Sequence, residues 1–177
     1  PGPHPAVDRA GTMGGMESAT LLDTGTVLRE RAGEFRDAVQ QHLYQEVLES
    51  RQVFPLSLRH THLELADACA WVLERTPRTG ALPPELIERL RRLGRDHRRH
   101  GFPADVYPAF ARALRHGLQV LGAPAADAAS RALETVCSVM ADAARKADLE
   151  GVAPAYSAEV LGVQRRTRHI SVVRLEA

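Results

Sequence analysis

His97 and Tyr107 stand ten positions apart across a break spelled Gly101-Phe102-Pro103. An imidazole binds metals and titrates near neutral pH, and a phenol beside it can donate a hydrogen bond. The surrounding stretch, PPELIERLRRLGRDHRRHGFPADVYPAF at residues 83–110, predicts a helix opening after Pro83-Pro84. Leu86, Ile87, Leu90 and Leu93 share one face of it, and His97 lies near its end. Gly101 and Pro103 stop that helix, and a second begins near Ala104 with Asp105 in its first turn. Tyr107 falls one turn into the second helix, on the side that folds back toward His97. The plainer reading of the same residues is a helical corner with a surface histidine.

Other reactive groups give weaker patterns. Cys69 and Cys137 fall in apolar helical contexts and form no CxxC, so both read as buried, unpaired thiols in a reducing compartment. The eight histidines include no HExxH pair, and no Cys/His set has zinc spacing. No GxSxG elbow is present, which leaves nucleophilic catalysis without support.

The elements that position these groups are mostly helical. Residues 1–18 are rich in Pro and Gly and predict an unstructured leader. A modest helix over 19–32 is weakened at Thr24-Gly25-Thr26. The next one carries Phe35, Val39, Leu43 and Val47 on one stripe, with Tyr44 beside it. Phe54-Pro55 ends that region, and Ser57 caps a helix bearing Thr61 or His62, Leu65, Cys69, Val72 and Leu73. Residues 75–84 form a loop. After the corner, one helix carries Val106, Phe110, Ala113, Leu114, Gly117, Leu118 and Leu121, and stops at Gly122-Ala123-Pro124. A long alanine-rich helix follows over 125–150, with Leu133, Val136, Cys137, Met140 and Ala144 inward. Residues 156–163 and 169–175 then alternate β-branched with polar residues and read as two strands around a charged QRRTR turn. They predict either a small arm on the helices or the start of a further β-rich domain.

At 177 residues the chain can bury a sizeable core without disulfides. A net charge of +1 points to no particular partner and argues against nucleic acid. The arginine and histidine cluster over 89–100 reads as a solvated helix face. No long apolar run predicts a membrane span, and the absence of a signal pattern predicts the cytoplasm.

Taken in order, residues 19–151 resemble the globin domain of a flavohaemoglobin. The tail at 152–177, with AEVLGVQRRTRHISVVRLEA, is similar to the first strands of the FAD-binding reductase β-barrel that follows in that family. The resemblance implies an all-α globin fold, helices A–H around haem b, followed by a short β-strand tail. It implies that His97 holds the haem iron, that Tyr44 is the distal tyrosine, that Phe54 packs on the haem at a corner, and that Leu65 lines the pocket. Thr61 falls where the family often has a distal glutamine. Tyr107 and a carboxylate at Asp148, with Glu150 close behind, would hold His97. A carboxylate accepting from the histidine Nδ1–H makes the imidazole a stronger donor to iron. The segment between Tyr44 and Phe54 is shorter than in the family. A register slip of one would bring His62 or His60 to the sixth position on the iron.

The function so implied is the haem half of a nitric oxide dioxygenase, turning NO and O₂ into nitrate with Tyr44, Tyr107 and Asp148 as its catalytic groups. Electrons would come from NAD(P)H through FAD in a reductase, either joined to this chain or separate. Two other readings remain open. One is a haem module that stores or senses O₂ without turnover, and the other is a cofactor-free helical interaction domain with a β arm.

Overall fold

A computed structural model describes residues 20–47, 62–77, 79–155 and 158–176 of the chain. Phe54, Thr61 and His60 lie outside these residues, and His62 is described only as the start of a helix. Six helices precede a hairpin among the described residues: α1 (Leu21–Glu30), α2 (Ala32–Glu46), α3 (His62–Arg75), α4 (Pro84–His97), α5 (Tyr107–Val120), α6 (Ala126–Leu149), β1 (Glu159–Arg165) and β2 (Ser171–Glu176). The expected class, a mostly helical chain with a short β tail, is the one found.

Helix α1 opens with a reciprocal cap in which the Thr20 hydroxyl accepts from the Asp23 N–H and the Asp23 carboxylate accepts from the Thr20 N–H. It then runs unbroken through Thr24-Gly25-Thr26, where low propensity predicted weakness. Packing overrides propensity here. The Thr24 hydroxyl donates to the Pro124 carbonyl, and a Cβ on Gly25 would already lie 3.4 Å from the Ala70 carbonyl oxygen of α3. The chain kinks at Arg31, whose guanidinium donates to the Leu121 carbonyl at 2.8 Å, and continues as α2.

The predicted corner is present. Helix α4 begins with proline at its first turn, passes into a 3₁₀ turn at Arg98–His100, and closes on Gly101 at φ 75°, a conformation that glycine adopts without strain. A second 3₁₀ turn, Ala104–Val106, leads directly into α5.

The main packings are α4 on α6, α2 on α5, α1 on α3 and α5 on α6. Two glycines set the closest crossings. A Cβ at Gly94 would meet Met140 Cα at 2.7 Å, and its carbonyl oxygen nearer still, so α4 lies backbone to backbone on α6. At Gly117 a Cβ would sit 2.8 Å from Phe35 Cε2 and Val39 Cγ2, which draws α5 onto α2. Phe35, Leu28, Leu43, Leu73, Tyr107, Leu118 and Leu133 are among the large side chains sealed in the core.

The strands pair antiparallel with Val160 opposite Leu175 and Val163 opposite Val173, with an irregularity between Val160 and Gly162. They begin two to three residues later than expected. Gln164 and Arg165, assigned to a charged QRRTR turn, are ladder residues, and the turn falls at 166–170. No helix of the described residues is long and apolar enough to cross a membrane.

Candidate functional site

Five helices, α2 to α6, enclose a cavity of about 390 Å³. Val39 and Leu43 of α2, Leu65, Cys69 and Val72 of α3, Leu90 and Leu93 of α4, Phe110 and Leu114 of α5, and Leu133, Val136 and Met140 of α6 supply apolar wall. Arg36, Gln40 and Glu64 add polar groups. The volume lies in the range of small-molecule and cofactor sites.

His97 lines this cavity from the last turn of α4, where the close α4–α6 crossing at Gly94 holds the helix end. Its Nδ1 lies 2.7 Å from the Leu93 carbonyl oxygen one turn back. A carbonyl can only accept, so Nδ1 carries the proton and Nε2 keeps its lone pair. Burial pushes the His97 pKa below its ordinary value, only partly opposed by the Leu93 bond, so the ring is held neutral. The result is a neutral imidazole with its Nδ1–H fixed, in the lining of a mostly apolar cavity.

Tyr107 lines the same cavity at 1% exposure. Its hydroxyl is the one buried side-chain polar atom without a hydrogen-bond partner among the described residues. Burial raises its pKa, so it stays protonated. Tyr107 and His97 meet a common aromatic neighbour. Phe102 stands between them, edge-on to the His97 ring at 5.9 Å and to the Tyr107 ring at 4.8 Å, and edge-on to Phe110 at 5.6 Å.

Asp148 is not brought to His97. Arg98 takes it, with its Nε donating to Asp148 Oδ1 at 2.7 Å and an NH2 group donating to the Val152 carbonyl at 2.6 Å. The Arg98 side chain is only 7% exposed, and this pairing ties the end of α4 to the end of α6. Glu150 lies 3.7 Å from Lys146 and is exposed. The carboxylate expected on His97 Nδ1 is therefore replaced by a neutral backbone carbonyl.

Leu65 lies on the cavity wall as expected. Tyr44 is half-buried on α2, and the wall there is made by Arg36, Val39, Gln40 and Leu43 rather than by Tyr44. Phe54 and Thr61, expected on the same side, lie outside the described residues. Both cysteines are cavity wall: burial raises the Cys69 pKa and pushes Cys137 up to about 12, which makes them inert protonated thiols.

Sequence reasoning overlooked Phe102 as a site residue. The signal was available, since a large aromatic inside a Gly–Pro break, where turns favour small polar residues, implies an inward-facing turn. Among the described residues no group of three or more His, Cys, Asp or Glu is placed to hold a metal ion. Comparison with protein-family models, with curated proteins and with solved structures found no match to the chain.

Proposed function

We propose that the helical part of this chain is a haem-binding globin of the flavohaemoglobin type, and the haem half of a nitric oxide dioxygenase. The observation that carries the reading is His97: a neutral imidazole with its Nδ1–H tied to Leu93, in a side chain that lines an apolar cavity. No group of three or more His, Cys, Asp or Glu is placed to hold a bare metal ion among the described residues, and a single imidazole suits a metal that arrives with its other ligands in a macrocycle. The aliphatic walls with Phe102 and Phe110 suit a large apolar group, and the unpartnered Tyr107 hydroxyl is a donor in reserve. These residues fit haem.

Bound haem iron would supply reversible O₂ binding and the one-electron redox change through which NO and O₂ become nitrate. The chain's own contribution is to bind, orient and exclude water. Leu93 fixes the imidazole tautomer, Phe102 packs its ring, and the apolar walls keep water away. Electrons would come from NAD(P)H through FAD in a reductase, joined or separate. The apolar side chains exposed on the hairpin support reading the tail as the first strands of such a domain.

A second reading, an O₂-binding or sensing module without turnover, gains from one observation. A carbonyl is a weaker acceptor than a carboxylate, so His97 would be a weaker donor to haem iron than the Asp148 network would make it. The test has two stages. Purified protein titrated with hemin should give a strong Soret band that collapses in His97→Ala; no uptake by the parent would end the haem reading. Mixing the reduced, aerated protein with NO should then yield stoichiometric nitrate. Hemin uptake without nitrate would leave the binding module.

A further inference from the structure

Residues 165–174, the turn of the hairpin and most of β2, hold four arginines and no carboxylate in a chain whose net charge is +1. The ribbon's own carboxylates, Glu159 and Glu176, stand opposite each other at its open end. Strand β1 spans about 20 Å from Glu159 to Arg165, roughly twice the screening length at physiological salt. The turn closes on itself. The Arg166 and Thr167 N–H groups both donate to the Ile170 carbonyl, at 2.9 and 3.1 Å, and the Thr167 hydroxyl accepts from the N–H groups of His169 and Ile170. Arg165 braces it by donating to the carbonyls of Thr167 and Arg168, while Arg166 and Arg168 are exposed. Apolar side chains share this end on both faces of the ribbon. Val163 and Val173 are paired on one face, Val172 is on the other, and Ile170 adjoins them in the turn. All of these are about half exposed or more.

We propose that this tip docks on an anionic lipid surface. Val163, Ile170, Val172 and Val173 enter the interfacial layer, and Arg166, Arg168 and Arg174 meet lipid phosphates. The charges are complementary, and a guanidinium can give two hydrogen bonds to one phosphate. Two-sided exposure selects the occupant. A protein packed against a two-stranded ribbon covers one face, whereas a lipid layer surrounds the tip and covers both. The closed turn suits the same surroundings, because backbone groups without partners are costly away from water. Duplex DNA would attract the arginines as well, but its phosphates give the apolar side chains nothing to bury against. The inference goes beyond the haem reading and does not depend on it. Val160 and Leu175, toward the open end, stay available to a neighbouring domain.

The test is co-sedimentation of the full chain with vesicles of phosphatidylcholine alone and of phosphatidylcholine mixed with phosphatidylglycerol, at low and at physiological salt. The parent should pellet with the mixed vesicles and not with the neutral ones, and its affinity should fall as salt rises. The variant R166E/R168E, which leaves the bracing Arg165 in place, should bind at least about tenfold more weakly. The variant I170S/V172S should also bind more weakly while keeping the salt dependence, because apolar burial is the part of the affinity that salt does not screen. Denaturant midpoints of both variants should match the parent, which separates lost binding from lost fold. No binding by the parent, equal binding to neutral vesicles, or full binding by R166E/R168E would each overturn the proposal. So would tighter binding of the parent to a duplex DNA probe than to the mixed vesicles, or an I170S/V172S variant that binds as the parent does.

Discussion

At the scale of single residues, burial sets the behaviour of both His97 and Tyr107. Burial holds the His97 pKa below its ordinary 6.5. The unfolded chain therefore takes up a proton at pH values where the folded chain does not, and stability rises with pH across that window. His97 costs the fold nothing above about pH 6.5, and as pH falls through that value its cost grows until the folded pKa is reached. Urea titrations of the cofactor-free protein between about pH 7 and pH 5 should show this decline, and His97→Gln should flatten it. An identical slope in the variant would assign the pH dependence elsewhere. Tyr107 carries a hydroxyl that burial strips of water and gives no partner. Tyr107→Phe should accordingly stabilise the cofactor-free protein by about 1 kcal/mol; a loss of stability instead would mean that the hydroxyl is satisfied in solution.

These two residues and Leu65 were legible from the sequence because each follows from a local pattern: a helix end, a helix start, an apolar stripe. Asp148 was not. The resemblance implied that it holds His97, but the immediate neighbour Arg98 presents a charge, and a carboxylate goes to a guanidinium before it goes to a neutral imidazole. No periodicity reports which of two adjacent side chains will reach a partner fifty positions away.

At the scale of elements, the helix spans were readable because apolar spacing and Pro/Gly punctuation agree, as at Pro84 and Gly101. What the pattern does not report is how closely two helices approach, since that is a property of the pair. Glycine makes the point three times. Gly94 faces the α6 backbone, which cannot move aside, so Gly94→Ala should destabilise by about 3 kcal/mol and impair hemin uptake by displacing the turn that holds His97. Gly117 faces the side chains of Phe35 and Val39, which can shift, so Gly117→Ala should cost about 1 kcal/mol. Gly33 in α2 faces nothing within 4 Å, and there alanine should stabilise by about 0.5–1 kcal/mol through helix propensity alone. Denaturant midpoints for the three variants test the ranking. Gly94→Ala matching Gly33→Ala would refute the close α4–α6 crossing.

At the scale of the whole molecule, the helices and the hairpin obey different rules. The helices bury their apolar stripes against one another, whereas the hairpin leaves Val160, Leu161, Val163, Val172, Val173 and Leu175 about half exposed or more. Alternation in the sequence identified the strands correctly, but alternation promises a buried face, and among the described residues neither face is buried. A two-stranded ribbon with so much apolar surface gains little by folding alone. The principal packings of the helices exclude it. Deleting residues 156–177 retains Val152, whose carbonyl accepts from Arg98, and removes only the ribbon. The shortened chain should unfold at the same midpoint as the parent, take up hemin equally, bind less of an apolar-sensing dye, and associate less with rising concentration. A midpoint lowered by several degrees would show that the ribbon packs on the helices in solution. Unchanged dye binding would show that the exposed apolar surface lies elsewhere.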